Sequence, residues 1–175
     1  MVDKHIHDFE ERVATLKAPY HFVDSGLPNA YLAGIKYRVC RQCEKQSADI
    51  PALKQLMQSI ARAVVSSEGP LTGPEIRFLR KRLGLKASAF ARIIGVTNEQ
   101  VSRWENGQNQ PEQSADKLIR IFYCVLSRDR ALRHKVDENI ESWLTGLTGE
   151  GPASSIRARL RNREWKAEPV LCGAV

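Results

Sequence analysis

Apolar residues return at intervals of three and four along several stretches of the chain, the spacing that gathers them on one face of a helix. Leu53, Leu56, Met57, Ile60, Ala61, Val64 and Val65 predict a helix over 51–66, opened by Pro51. Ile76, Leu79 and Leu83 predict a scaffold helix, and Leu118, Ile119, Phe122 and Leu126 predict another, capped by Ser114. A last stripe, Leu132, Val136, Ile140, Trp143, Leu144 and Leu147, needs a partner, either the same chain or a second copy of it. Between the first two helices, SSEGPLTGP at 66–74 interrupts the periodicity with two glycines and two prolines and reads as a linker or hinge.

The ends of the chain read differently. The first 17 residues are charged and suit a short helix or a loose arm. Tyr20, Phe22, Tyr31, Leu32, Ile35, Tyr37 and Val39 are strand formers punctuated by Gly26, Pro28, Asn29 and Gly34, which predicts a small antiparallel sheet. In the segment 148–175, Arg157, Arg159, Arg161, Arg163 and Lys166 stand among Ile156, Ala158 and Leu160. A basic strand, a short helix and a DNA-embracing tail all remain open there.

Residues 85–111, LKASAFARIIGVTNEQVSRWENGQNQP, carry the most functional information. Phe90, Ala91 and Ile94 on one short helix can meet Val101 and Trp104 on the next, with Gly95 leaving the first helix and Thr97 capping the second. That arrangement is a helix-turn-helix, and it leaves Asn98, Glu99, Gln100 and Arg103 projecting outward. Asn and Gln can bind adenine through two hydrogen bonds, Arg suits the two acceptors of guanine, and a helix fits the major groove. Glu99 would repel phosphate but could accept from a cytosine amino group. The expected partner is double-stranded DNA.

Charge supports this. The chain of 175 residues has a net charge of +7. Residues 1–50 balance seven basic against seven acidic side chains, whereas 68–130 carry eleven against seven, so the excess sits with the motif. Arg77, Arg80, Lys81, Arg82, Lys86 and Arg92 could line the phosphate backbone. No apolar run is long enough to span a bilayer and the N-terminus is too polar for a secretory signal, so a soluble, cytoplasmic protein is expected. His5, His7, His21 and His134 could be asked to act as bases and Cys40 as a nucleophile. Without a Gly-rich phosphate loop, paired carboxylates or a nucleophile elbow, an enzyme is not expected.

The N-terminal strands have too few apolar residues for a large core, and so small a domain needs a metal, a disulfide or a neighbour. Cys40 and Cys43, spaced C-x-x-C on a turn, suit two thiolates on one zinc. Three readings stay open: zinc held by Cys40, Cys43, His5 and His7; a metal-free relic; and a thiol pair that oxidises. The i, i+2 spacing of the histidines fits poorly. Cys124 reads as core and Cys172 lies in the tail; in a reducing cytoplasm neither needs a partner.

The segment 85–111 resembles the Xre/Cro-like helix-turn-helix of bacterial repressors. From about Tyr20 to Tyr123, through SGLPNAYLAGIKYRVCRQCE, LTGPEIRFLRKRLGL and VTNEQVSRWENG, the chain is similar to the MqsA-like (YgiT-type) zinc-finger and helix-turn-helix antitoxins and regulators. The resemblance implies a five-helix DNA-binding domain, a two-fold dimer and a palindromic operator. It also implies that Arg103 reads bases, that Ser102 makes a neighbouring contact, and that Asn106 and Gly107 form a turn close to phosphate. Two features depart from the pattern. The phosphate-clamping glutamine that often opens the first motif helix is Ala87 here, with Lys86 or Ser88 nearest to replace it, and the first C-x-x-C of the similar antitoxins is missing.

The expected fold is mainly α with a small N-terminal antiparallel β element. It divides into a zinc-finger-like β domain (1–50), a connecting helix (51–67), the helix-turn-helix domain (68–128), a C-terminal helix (129–147) and a basic tail (148–175). The expected function is a sequence-specific regulator, a repressor that reads its operator as a homodimer. The alternative is an antitoxin that binds a toxin protein through its N-terminal domain and represses its own operon.

Overall fold

The computed structural model describes residues 7–147 and 154–171. Five short strands come first: β1 (Phe9–Val13), β2 (Tyr20–His21), β3 (Ala30–Ala33), β4 (Lys36–Cys40) and β5 (Gln46–Ala48). Six helices follow: α1 (Leu53–Ser66), α2 (Gly73–Arg82), α3 (Ala87–Ile94), α4 (Asn98–Glu105), α5 (Gln113–Leu126) and α6 (Arg130–Gly146). A hairpin of β6 (Ser154–Arg161) and β7 (Glu164–Leu171) ends the described chain. Helices take up 46% of the described residues, and two sheets stand beside them, so "mainly α" is too strong a description.

One sheet, β1-β4-β5, is antiparallel throughout. The other has the order β2-β3-β6-β7, with β6 running parallel to β3 in the register Ala30 to Ile156 and Ala33 to Arg159. Of the three forms open to the basic tail, residues 154–171 therefore take the strand. Asn29 fixes its start, donating from Nδ2 to the Ser154 carbonyl at 2.7 Å and accepting from the Ile156 amide at 2.8 Å on its own carbonyl. Near the end of the strand, a Cβ on Gly34 would lie 2.5 Å from the Leu160 carbonyl oxygen, so the close approach of these backbones requires a glycine. Ile156, Ala158 and Trp165 are buried on the inner face of the hairpin, and α1 packs over it. Ser59 Oγ accepts from the Ala167 amide at 2.7 Å, and the Pro51 carbonyl accepts from Trp165 Nε1 at 2.8 Å.

Several local expectations change. The segment expected as a short helix or arm contains β1, which is held by its ladder to β4 and not by an apolar stripe; four of its five residues are exposed. Helix α1 begins at Leu53, after Ala52 in the left-handed region at φ 50°. The 66–74 linker is shorter than its composition suggests. Thr72 and Glu75 form a reciprocal capping box, so α2 starts at Gly73 with Pro74 in its first turn. Ser114 lies inside α5, whose N-cap is Glu112.

The buried residues of sheet, α1 and the later helices form one contiguous core, to which Cys124 belongs. Two charged clusters tie the parts together. Arg62 of α1 makes a two-pronged ion pair with Asp129 at 2.7 and 2.9 Å, while Asp129 caps α6 through the Ala131 amide. Burial opposes ionisation of Asp129, but Arg62 and the backbone bonds outweigh it and hold its pKa below the ordinary value. Arg120 of α5 is 1% exposed, pairs with Asp116 at 2.6 Å, and donates to the carbonyls of Val65, Ser67 and Gly69 at 3.0, 2.6 and 2.6 Å. Asp116 in turn accepts from the Leu71 amide at 2.6 Å.

Replacing Arg120 by Leu orphans both the Asp116 carboxylate and those carbonyls. Urea unfolding should show a loss of about 3 to 5 kcal/mol. The double variant Asp116→Leu/Arg120→Leu, which removes the stranded charge as well, should recover a measurable part of it.

Candidate nucleic-acid interface

The site is built on the pair α3 and α4. Phe90, Ala91 and Ile94 of α3 are buried against Val101 and Trp104 of α4. Helix α3 ends on Gly95 in the left-handed conformation at φ 75°, with the Val96 amide returning to the Ala91 carbonyl. Thr97 then opens α4 with a full capping box: its Oγ1 accepts from the Gln100 amide at 3.1 Å, and Gln100 Oε1 accepts from the Thr97 amide at 2.9 Å. At the far end, Gly107 at φ 70° closes the helix, its amide bonding Trp104 O and that of Gln108 bonding Arg103 O.

Two contacts aim α4. A Cβ on Gly73 would collide with the Trp104 carbonyl oxygen, so the start of α2 lies directly against the last turn of α4. Glu105 supplies the other contact. It falls on the buried stripe one turn from Val101 and is 8% exposed. Arg80 reaches it through Nε at 2.5 Å and a terminal nitrogen at 2.8 Å, and Arg77 reaches it at 3.2 Å. Burial alone would raise the Glu105 pKa, but Arg80 and then Arg77 outweigh it and hold the carboxyl below the ordinary glutamate range.

Asn98, Glu99, Gln100, Ser102 and Arg103 are all exposed along the outer side of α4, and Thr97 is exposed at its start. Gln100 has its carbonyl oxygen engaged in the cap. Asn106 also has local partners: its Oδ1 accepts from Arg77 at 2.8 Å and its Nδ2 lies 3.4 Å from Ser102 Oγ. Lys86 and Ser88 are exposed at the start of α3, with Ala87 half-buried between them. The expectation that Arg77 and Arg80 line the phosphate backbone needs correcting for Arg80, since Arg77 keeps 42% of its side chain exposed. Arg80 is only 12% exposed in its side chain and is turned inward to Glu105 and the Leu85 carbonyl, while Arg77 is divided between Glu105 and Asn106. Glu105 itself was legible as a carboxylate on the i, i+4 stripe of Val101, a position that demands a cation.

A second cluster lies at the N-terminal sheet. Phe9 of β1 pairs with Cys40 of β4, which brings His7 to the C-x-x-C turn. His7, Cys40 and Cys43 offer ligand atoms all within 4.8 Å of one another, with Cys43 Sγ 3.5 Å from His7 Nδ1. Cys40 is buried and Cys43 half-buried. His5 and Cys172 lie outside the described residues. No helix among the described residues is long and apolar enough to cross a membrane.

Comparison with known proteins bears on the first cluster. Residues 76–121 match the helix-turn-helix family. The chain is also similar to a protein named an uncharacterized HTH-type transcriptional regulator, YiaG, in Escherichia coli strains K12, O6:H1 and O157:H7. Each is 43% identical over 48 residues, covering 27% of this chain and 50% of the relative. The chain thus spans about half the length of the curated relatives it matches. No solved structure matches the chain. Residues 76–121, from within α2 into α5, carry an Xre-like helix-turn-helix domain.

Proposed function

We propose that the protein is a transcriptional regulator that reads a palindromic operator as a homodimer, inserting α4 into the major groove and acting as a repressor. The observation that carries this reading is the outer face of α4. Asn98, Glu99, Gln100, Ser102 and Arg103 are exposed together on a helix capped at both ends and braced from behind. Arg103 has the donor fork for guanine and Asn98 an amide group suited to adenine, while Gln100, its oxygen held in the cap, has its amide nitrogen left to donate. Lys86 and Ser88 at the start of α3, and the turn at Asn106, take phosphate positions, where backbone amides and short polar side chains suit an anion. The name of the E. coli relatives, an HTH-type transcriptional regulator, supports the same role. This reading is preferred to that of a toxin-binding antitoxin, for which co-purification with a toxin would be the sign.

We assign the His7, Cys40 and Cys43 cluster to a structural zinc. Two thiolates and an imidazole supply three of the four donors of a tetrahedral zinc, and their mutual distances suit ligands about 2.0 to 2.3 Å from a shared ion, with the fourth position to be filled by a further residue or water. Held there, the metal would pin the segment before β1 to the end of β4.

Arg103→Ala should weaken operator binding by about 1 to 3 kcal/mol and relax base preference at one position in each half-site, as read by footprinting and binding titration. Unchanged affinity and unchanged preference would remove Arg103 from the reading role. A second expectation concerns pH. Because the folded pKa of Glu105 is depressed, its ion pair contributes fully above the unfolded value of about 4.3 and is lost as pH falls through the lower folded value. Glu105→Gln should therefore cost about 2 kcal/mol at neutral pH and flatten the acid limb of the stability profile below about pH 5. For the metal, protein purified without chelator should carry one zinc per chain, and Cys43→Ser should lose it together with several degrees of melting temperature. Equal metal content in the variant would rule the cluster out.

A further inference from the structure

The hairpin that closes the second sheet has one face buried and one face unused by the reading of α4. Along β6, Ile156, Ala158 and Leu160 point inward, so Arg157, Arg159 and Arg161 line up on the outer face. The antiparallel register places Glu168 beside Arg157, Lys166 beside Arg159 and Glu164 beside Arg161. On the other side of Arg157, the register continues to Tyr31 of β3 and His21 of β2. The arginines, Lys166 and Leu16 border a shallow groove of about 460 Å³.

Three properties of this face point to one kind of partner. Four cations stand against two carboxylates, and among the described residues none of the four makes a salt bridge within 4.0 Å, although Glu168 and Glu164 lie in adjacent register. Their charge is thus available to an external anion. Alternate residues of a strand are about 6.6 Å apart, so the three arginines form a straight row with a repeat comparable to that of successive phosphates along a nucleic acid strand. The neighbouring aromatic side chains are already satisfied: His21 stacks on Tyr31 with ring centroids 5.0 Å apart, and His21 Nε2 lies 2.8 Å from the Pro28 carbonyl. A surface that binds single strands relies on open aromatic platforms for bases, which this face does not offer.

We infer that the outer face of β6 and β7 binds the phosphate backbone of duplex DNA, as a second contact without sequence preference. Arg157, Arg159, Arg161 and Lys166 supply the charge, each arginine being able to present a two-pronged donor to one phosphate. This contact does not depend on α4 being the reading helix. It would add affinity and salt dependence to binding and leave base preference untouched.

The test uses the full chain and measures the slope of log affinity against log salt on three probes: operator duplex, an unrelated duplex, and the single strand of either. Single variants Arg157→Gln, Arg159→Gln and Arg161→Gln keep the inner face intact, and each should lower the duplex slope by about 1, with the footprint unchanged. A triple lysine variant should keep the slope near that of the parent. As a control, Arg12→Gln, Lys36→Gln and Arg38→Gln on the β1-β4-β5 sheet remove the same charge elsewhere. Equal losses from the control set would mean that net charge alone is acting and would overturn the assignment, as would unchanged slopes in the hairpin variants or an effect confined to the single strand. Arg103→Ala distinguishes the two readings, because it should change base preference on the operator and leave affinity for the unrelated duplex as it was.

Discussion

Arg120 makes the junction between the β part of the molecule and its helix-turn-helix part possible. The last carbonyls of α1 and of the turn after it have no partners within the helix, and those of Val65 and Ser67 are in buried residues, that of Gly69 in a half-buried one. A guanidinium is the side chain that can satisfy several such oxygens at once, because its donors are numerous and fixed in a plane. Its charge would be costly in that setting but for Asp116 one turn earlier, which also takes up the Leu71 amide. The stretch that composition marks as a hinge is therefore anchored backbone. Glu75 extends the cluster: burial raises its pKa, while hydrogen bonds from Thr72 and Asn29 and the charge of Arg120 oppose that rise.

From that junction the direction of α4 is set by α2. The N-terminal turn of α2 meets the backbone of the last turn of α4 at Gly73, and its basic side chains meet the same helix through Glu105. Steric contact and charge act at one place, so α4 cannot rotate about its axis without losing both. In the role proposed for α4 such a brace matters, since hydrogen bonds to base edges tolerate little displacement. It also explains why two arginines that count as two cations in a tally of net charge leave about one positive charge beside α4, with Arg80 turned inward and Arg77 still partly exposed.

What could be read from the residues was whatever depends on neighbours in the chain. The helices α1, α5 and α6, the left-handed ending at Gly95 and the cap at Thr97 follow from spacing and residue type over a few positions and stand in the structure, although Leu53, Leu126 and Ile140 of the apolar stripes are exposed. What could not be read depends on partners far away. Strand β1 is polar on nearly every residue and exists because β4 offers it a ladder. The tail becomes a hairpin because Asn29, Gly34 and Ser59 receive it across more than a hundred residues. The fates of Arg77 and Arg80 were hidden for the same reason, since an arginine on a helix looks alike in sequence whether its carboxylate partner lies 25 residues on or is absent.

The parallel pairing of β3 with β6 has a further consequence for how the parts communicate. The helices from α1 to α6 are inserted between two strands that lie side by side in one sheet, so the chain leaves the sheet and returns to it. Both ends of the helical insertion are thereby fixed to the same body. On the inner face of the hairpin, Trp165 bonds the carbonyl just before α1 and Ala167 bonds Ser59 within it. On the far side of α1, Arg120 joins the end of that helix to α5, and the Asn29 loop reaches Glu75 in the first turn of α2. A displacement of the sheet must then move α1 and the start of α2 together, and α2 carries the brace of α4. The orientation of the exposed face of α4 is in this sense a property of the whole chain, although the residues that form the face lie within a single turn and helix.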